Sequence, residues 1–188
     1  MRSHAKAVNF GIVYGISAFS LAQDIGVPVY EAKEYIETYF ERFPGIRRYM
    51  DEVVAQAKER GYVETLMHRR RALPELAASN FNTRSFGERV ALNMPIQGTA
   101  ADVMKLAMVR VHDRLRREVP EAKLLLQVHD ELIVECPEAM AEQAARLLTE
   151  EMEGVMQLSV PLVAEEAVAR RSWGQVFTQL LRMAVFAA

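Results

Sequence analysis

The sequence predicts a mixed α/β fold in which helices come first and an antiparallel sheet follows. Helical periodicity, interrupted by glycines and prolines, occupies most of residues 2–117. Two apolar, β-prone runs, 123–128 and 132–136, are separated by three residues and predict a hairpin. Hydrophobic residues make up 51% of the 188 positions, which is enough for a packed core. At roughly 150 residues per domain, this length corresponds to one domain or two small ones.

The first third of the chain is predicted to be helical. Each segment ends at a glycine or a proline, and Ser17 is a typical N-terminal capping residue for the second of them. The predicted helices cover residues 2–14, 17–26, 30–43 and 46–60.

A short strand is predicted at residues 62–66, before the basic run 68–71. The polar residues 77–82 indicate a turn and a subdomain boundary. Because a proline inside a helix removes a backbone hydrogen bond, Pro95 is expected to separate two helices. These helices are predicted at residues 83–94 and 97–117.

The last third is predicted to contain the hairpin, a helix over residues 138–156 and a strand over 158–168. The stretch 174–188 is unusually apolar for a terminus. Two interpretations of it stay open. It is either an amphipathic helix packed on the body or a read-through tail without a partner.

Composition excludes several classes of protein. The single cysteine, Cys136, excludes a disulfide framework and a cysteine-rich zinc site. No run of eighteen apolar residues and no signal peptide is present, so we expect no membrane partner and a reducing cytoplasm. Residues 1–123 carry 19 Lys/Arg against 15 Asp/Glu, whereas residues 124–188 carry 4 against 10. Phosphate contacts are therefore expected in the first two thirds.

The first helix repeats functional side chains every fourth residue. Arg2, Lys6, Phe10 and Tyr14 are each four apart, which places them along one helix face with a rise of about 6 Å per step. Two cations followed by two aromatic rings match an extended nucleoside triphosphate, whose phosphates pair with the cations. The alternative is a partly buried helix with a solvated charged end, and spacing alone favours that alternative.

Acidic residues occupy the predicted hairpin turn. Asp130 and Glu131 are oxygen ligands of the kind that Mg²⁺ prefers, although aspartate is also an ordinary turn residue. Together with His129 they match the H-x-E of zinc deaminases, but that family needs a Pro-Cys-x-x-Cys that a chain with one cysteine lacks.

Three stretches, taken in order, resemble motifs of the family A (bacterial DNA polymerase I type) DNA polymerases. Residues 2–15, with the pattern R-x3-K-x2-NFG-x2-YG, resemble motif B, and residues 127–131, QVHDE, resemble motif C. Between them, residues 93–102, NMPIQGTAAD, resemble the entry to the helix that precedes motif C. Residues 62–66 and the arginines 69–71 match as well. The resemblance runs from about residue 2 to about residue 174.

The resemblance implies part of a right-hand polymerase, with helical fingers over residues 1–79, the C-terminal part of an antiparallel palm over 80–174 and an atypical tail over 175–188. It implies addition of a deoxynucleotide to a primer 3′-hydroxyl by a two-magnesium mechanism in replication and repair. The implied partners are primer-template DNA and deoxynucleoside triphosphates, and the implied cofactor is Mg²⁺.

The resemblance also assigns residues. The catalytic set is Asp130, Glu131 and Lys6, of which Asp130 and Glu131 are the metal ligands. The nucleotide-binding set is Arg2, Lys6, Phe10 and Tyr14. The DNA-binding set is Gln97 and Arg89, with His129 at the primer terminus.

Family A chemistry also needs a second metal-binding aspartate in motif A, upstream of motif B. The other four aspartates of the chain lie in or at the ends of predicted helices. We therefore expect the isolated chain to be inactive and the N-terminal part of the same polymerase to be its partner. Two functions are alternatives to that of a DNA polymerase. One is a non-catalytic nucleotide- or DNA-binding module derived from a polymerase, and the other is a metal-dependent nuclease.

Overall fold

The computed structural model describes the backbone of residues 2–170 and 176–185 and the side chains of residues 8–167. Helices dominate the first part of the chain and strands the last, which confirms the predicted α/β class. The helices are α1 (Arg2–Val13), α2 (Ala18–Ile25), α3 (Val29–Arg42), α4 (Pro44–Arg60), α5 (Phe81–Glu118) and α6 (Ala141–Glu153). The strands are β1 (Tyr62–Glu64), β2 (Arg70–Ala72), β3 (Lys123–Val128), β4 (Glu131–Pro137), β5 (Leu162–Arg170) and β6 (Val176–Val185).

The chain divides into two compact units, residues 1–99 and 100–188, and α5 continues through the boundary. No helix within the described residues is long and apolar enough to cross a bilayer.

Local signals place the helix ends of the first unit close to their predicted positions. Ser17 caps α2, because its Oγ accepts a hydrogen bond from the Ser20 N–H at 3.1 Å. Gly26 and Gly61 end α2 and α4 in the left-handed conformation that glycine adopts without strain. Pro44, by contrast, does not lie outside a helix but is the first residue of α4. Its fixed φ suits that position and its missing N–H has no intrahelical partner there anyway.

Two small cores hold the first unit together. The core beneath α1, α2 and α3 is built from the buried residues Leu21, Ala22, Ile25 and Ala32. The core between α4, the β1–β2 hairpin and α5 is built from Ala57, Val63, Leu73, Leu76 and Ala91.

The prediction that Pro95 separates two helices is wrong, because α5 runs unbroken from Phe81 to Glu118. Pro95 has no N–H to donate to the carbonyl of Ala91, so one helical hydrogen bond is lost. Burial on both sides of the proline outweighs that loss. Ala91 and Leu92 precede it in the buried set, and Val103 and Met104 follow.

The end of the basic run after β1 belongs to a strand, β2 (Arg70–Ala72), which the sequence did not predict. β1 pairs antiparallel with β2, with Glu64 opposite Arg70. The N–H of His68 donates to the carbonyl of Thr65 at 2.9 Å, and the N–H of Thr65 donates to the carbonyl of Arg69 at 3.0 Å. His68 is the last of the three residues, 66–68, that lie between Thr65 and Arg69, and it adopts the left-handed region at φ 61°.

The second unit packs α5 and α6 on a four-stranded sheet with the order β3-β4-β6-β5. Alternate residues of β4, namely Leu132, Val134 and Cys136, are buried in its core with Ala107, Val111, Leu148 and Met152. Arg114 of α5 contacts three carboxylates, Glu118 at 3.0 Å, Glu150 at 2.7 Å and Glu151 at 3.1 Å. These contacts raise the pKa of the guanidinium, chiefly through the hydrogen bond to Glu118.

The C-terminal stretch is neither the helix nor the unpartnered tail that the sequence left open. Residues 176–185 form β6, which lies between β4 and β5 and is antiparallel to both. Pairing of this kind needs an extended segment and two neighbouring strands whose backbone N–H and C=O groups are available to it. A hydrophobicity pattern reveals neither condition.

Candidate nucleotide and DNA site

The predicted site residues fall into two groups, one in each unit. Phe10, Tyr14, Arg89 and Gln97 lie in the first unit, and the hairpin acids lie in the second. Arg2 and Lys6 belong to the backbone of α1, and their side chains lie outside the described residues.

The aromatic part of the α1 face is formed as the spacing predicts. Phe10 and Tyr14 are one helical turn apart, and their ring centroids are 6.2 Å apart with 31° between the planes. Phe10 is 55% exposed, which is unusual for a phenylalanine in a helix that also contains the buried Ile12. One face of α1 therefore packs inward, while the side that carries Phe10 is largely exposed.

The end of α1 lies against α5 at Arg89. Gly15 has φ 74°, and a Cβ there would lie 3.0 Å from Leu92 Cδ1 and 3.6 Å from Arg89 Cγ. The positive φ favours glycine at this position, and a side chain here would also crowd the end of the Leu92 side chain. The structure thus brings the Tyr14 end of α1 next to Arg89, two positions that are 75 residues apart in the chain.

A cleft of about 500 Å³ opens beside this contact. Arg89 is exposed and its Nη1 donates to Ser85 Oγ at 3.1 Å. The ion pair between Lys58 Nζ and Glu88 Oε1, at 2.6 Å, closes the opposite side. The cleft is lined by Gly15, Met50, Asp51, Val54, Ala55, Lys58, Ser85, Glu88, Arg89 and Leu92.

Gln97 is exposed on α5, two residues after Pro95. Its amide makes no hydrogen bond to any residue whose side chain the structure describes. A carboxamide exposed on a helix offers two N–H donors to a ligand.

The hairpin is confirmed, and its turn is one residue shorter than the sequence predicted. Val128 pairs with Glu131, so only His129 and Asp130 form the turn and Glu131 already belongs to β4. His129 is exposed and has φ 55°, in the left-handed region that few non-glycine residues adopt. Gln127 Nε2 donates to the His129 carbonyl at 2.8 Å and so holds the turn from one side. Asp130 and Glu131 are both half-buried.

The carboxylates of Asp130 and Glu131 are chemically suited to a hard cation such as Mg²⁺. Two carboxylates are, however, too few ligands for a complete metal site. Carboxylate oxygens are the donors that Mg²⁺ prefers. Among the residues that the structure describes, no group of three or more His, Cys, Asp or Glu side chains is arranged to hold a metal ion. Asp130 and Glu131 alone thus supply two candidate oxygen ligands.

Sequence reasoning missed how the β1–β2 hairpin contacts α5 beside Gln97. Leu66 N–H donates to Thr99 Oγ1 at 3.1 Å, and a Cβ on Gly98 would lie 2.7 Å from Thr65 Cγ2. A glycine directly after Gln97 was the available signal, because glycine inside a helix often marks a close approach. Sequence reasoning also missed that Arg70, in the basic run, is engaged within the hairpin. Arg70 pairs with Glu64 at 3.2 Å, and its guanidinium lies over the Tyr62 ring at 4.6 Å.

Known proteins are similar to this chain in sequence and in backbone architecture. A sequence profile described as DNA polymerase family A matches residues 1–175. DNA polymerase I of Streptococcus pneumoniae is 54% identical over 165 residues, which cover 88% of this chain and 19% of that protein. DNA polymerase I of Geobacillus stearothermophilus is 57% identical over 162 residues, covering 86% of this chain and 18% of that protein. The chain thus spans about a fifth of the length of these relatives.

A solved structure shows a similar arrangement of the backbone. The polymerase domain of Pol1 from M. smegmatis, in complex with a DNA primer-template and dNTP, superposes with a TM-score of 0.82 at 44% identity. The match covers 85% of this chain and 28% of that one.

Proposed function

Because the chain belongs to DNA polymerase family A, we propose that it forms the fingers and the C-terminal palm of a template-directed DNA polymerase. The reaction forms a bond between the primer 3′-oxygen and the α-phosphorus of a deoxynucleoside triphosphate, and pyrophosphate leaves. The observation that carries the proposal is the β3–β4 hairpin, whose two-residue turn displays His129 and Asp130 with Glu131 directly after them. The M. smegmatis relative was solved with primer-template and dNTP, which supports the same ligands here.

The α1 face would bind the incoming nucleotide. Arg2 and Lys6 would neutralise the phosphates, with Lys6 also facing charge that develops on the leaving pyrophosphate. Phe10 would lie against the sugar and Tyr14 near the templating position. The exposure of Phe10, at 55%, leaves its ring accessible for this contact.

Gln97, Arg89 and His129 would contact the DNA. The minor groove offers acceptors at nearly the same places in every base pair, so the Gln97 amide can test pair shape without reading sequence. Arg89 would hold the template backbone, since phosphate contacts fix register and carry no sequence information. We assign residues 1–79 to the fingers and 80–174 to the palm.

Asp130 and Glu131 would hold magnesium, which when bound neutralises the phosphate charge of the reaction. The remaining oxygen ligands would come from the rest of the polymerase, and we propose that this N-terminal part supplies the second aspartate. The isolated chain is then expected to give no primer extension.

A chimera tests the proposal. In the G. stearothermophilus relative, the segment that aligns with this chain is replaced by this chain, and primer extension is measured. We expect extension by the chimera and a loss of about 1,000-fold or more with Asp130→Asn, since several kcal/mol of transition-state stabilisation disappear. Asp113→Asn, at an exposed position of α5, is the matched control and should leave the rate unchanged. Full activity of the Asp130→Asn chimera would contradict the assignment.

The alternative function is a binding module without catalysis. In that case the isolated chain would bind DNA with a strong salt dependence that Lys6→Ala weakens only slightly, because backbone contacts are spread over many cations. A chimera that binds primer-template and never extends it would favour this alternative.

A further inference from the structure

The turn of α5 that carries Gln97 is a weak point of the helix. Pro95 removes the hydrogen bond that would reach back to the Ala91 carbonyl, and Gln97 lies only two residues further on. Prolines inside helices are sites where the backbone bends unless neighbouring groups hold it. A side chain that must present its amide at a fixed place therefore needs support from outside the helix.

That support comes from the β1–β2 hairpin through Thr99. The Thr99 hydroxyl accepts a hydrogen bond from the Leu66 N–H at 3.1 Å and donates to the Pro95 carbonyl at 2.5 Å. The two bonds join the loop of the hairpin to both ends of the turn that displays Gln97. Without its hydroxyl, residue 99 makes neither bond.

Thr65 fixes the same contact sterically. Its Oγ1 accepts hydrogen bonds from the N–H groups of Met67 and Arg69, both at 3.2 Å, so the rotamer of this 3%-exposed side chain is set by its own loop. The methyl group Cγ2 then faces Gly98, where a Cβ would be only 2.7 Å away. The hairpin consequently sits directly on the helix backbone at the residue after Gln97.

We infer that Thr99 and Thr65 are positioning residues for Gln97, which hold its amide in the geometry needed to contact the minor groove of DNA. The inference rests on the proposed function, because it requires that Gln97 contacts DNA. Thr99 and Thr65 themselves touch neither DNA nor nucleotide in this scheme and act only through the Gln97 turn.

The test is the binding of the chain to primer-template DNA with and without a minor-groove acceptor. Fluorescence anisotropy gives the Kd for a natural duplex and for one with a 3-deazapurine at the terminal pair, placed in turn on each strand. The measured quantity is the ratio of the two Kd values. Removing one good acceptor should raise the Kd of the wild-type chain about 3- to 10-fold, and Gln97→Ala should bring the ratio to about 1.

Thr99→Val removes the hydroxyl at nearly constant shape and should lower the ratio towards 1, whereas Thr99→Ser keeps the hydroxyl and should retain the wild-type ratio. Gly98→Ala displaces Thr65 and should also lower the ratio, which keeps the test decisive if Thr99→Val fails to fold. A purely structural role would weaken binding to both duplexes equally and leave the ratio unchanged.

The possible failures are distinguishable. A wild-type ratio in Thr99→Val or Gly98→Ala would overturn the positioning role and leave the contact of Gln97 with DNA intact. A ratio of 1 in the wild-type chain, on either strand, would overturn the positioning role together with the proposed contact of Gln97.

Discussion

Replacing Gly98 by alanine sets two known effects against each other. Alanine is favoured over glycine inside a helix by about 1 kcal/mol. Against this, the new Cβ would lie 2.7 Å from Thr65 Cγ2 and 3.4 Å from Met94 Cε. Overpacking costs about 1–3 kcal/mol, and the upper half of that range applies because the Thr65 hydroxyl is held by two backbone N–H groups. We expect Gly98→Ala to lower the free energy of unfolding by roughly 1–2 kcal/mol.

The assay is urea unfolding of the isolated chain, followed by circular dichroism. Gly45→Ala is the matched control, since Gly45 is in the first turn of α4 with nothing within 4 Å of an added Cβ. It should stabilise slightly, by about 0.5–1 kcal/mol. Thr65→Ser removes Cγ2, so Gly98→Ala with Thr65→Ser should be at least about 1 kcal/mol more stable than the sum of the single changes predicts. A Gly98→Ala chain as stable as wild type would refute the steric reasoning.

Three further outcomes follow from the charged and buried groups. Cys136 is 2% exposed and burial raises the pKa of its thiol, so Ellman's reagent should react far more slowly with native than with urea-unfolded chain; equal rates would contradict its burial. Arg114→Met should lower the urea midpoint because it breaks a network of one cation with three carboxylates, while Arg116→Met, at an exposed position, should not. The hydrogen bond from the Arg70 guanidinium lowers the pKa of Glu64 in the folded chain. The contact therefore stabilises the fold at pH values above the ordinary glutamate pKa, and this stabilisation is lost as the pH falls through the lowered pKa of the folded chain. Glu64→Gln should therefore flatten the loss of stability as the pH falls below the ordinary glutamate pKa, and an unchanged acid limb would show that the contact does not matter.

Signals confined to a few neighbouring residues were read correctly from the sequence. The Ser17 cap and the glycines after α1, α2 and α4 act through their own backbone conformation, so a single sequence contains the needed information. The order of the motifs likewise indicated the family, because each motif is a local pattern.

Features that depend on tertiary contacts could not be predicted from the sequence. The continuity of α5 through Pro95 depends on burial on both sides of the proline, and β2 is a three-residue strand of mostly charged residues with no hydrophobic alternation. The contact of Thr65 with Gly98 joins positions 33 residues apart. Propensity gives no information on such long-range pairs, and so the contact of the β1–β2 hairpin with α5 was missed.

The two non-glycine residues with left-handed backbone in the described part of the chain are both histidines at hairpin tips, His68 and His129. Glycine at either position would relieve about 1–2 kcal/mol of backbone strain. It would also destabilise the folded state by about 0.5–1 kcal/mol, because glycine loses more conformational entropy on folding. Each substitution to glycine should thus raise the free energy of unfolding by up to about 1.5 kcal/mol. Among the described residues the His68 side chain has only its 3.6 Å contact with Glu64 to lose, so His68→Gly should leave primer extension by the chimera unchanged. His129 is the proposed contact with the primer terminus, and His129→Gly should slow extension in spite of the gain in stability. Strain is kept at a functional site when the side chain is needed there, and equal extension rates for the two glycine variants would show that it is not.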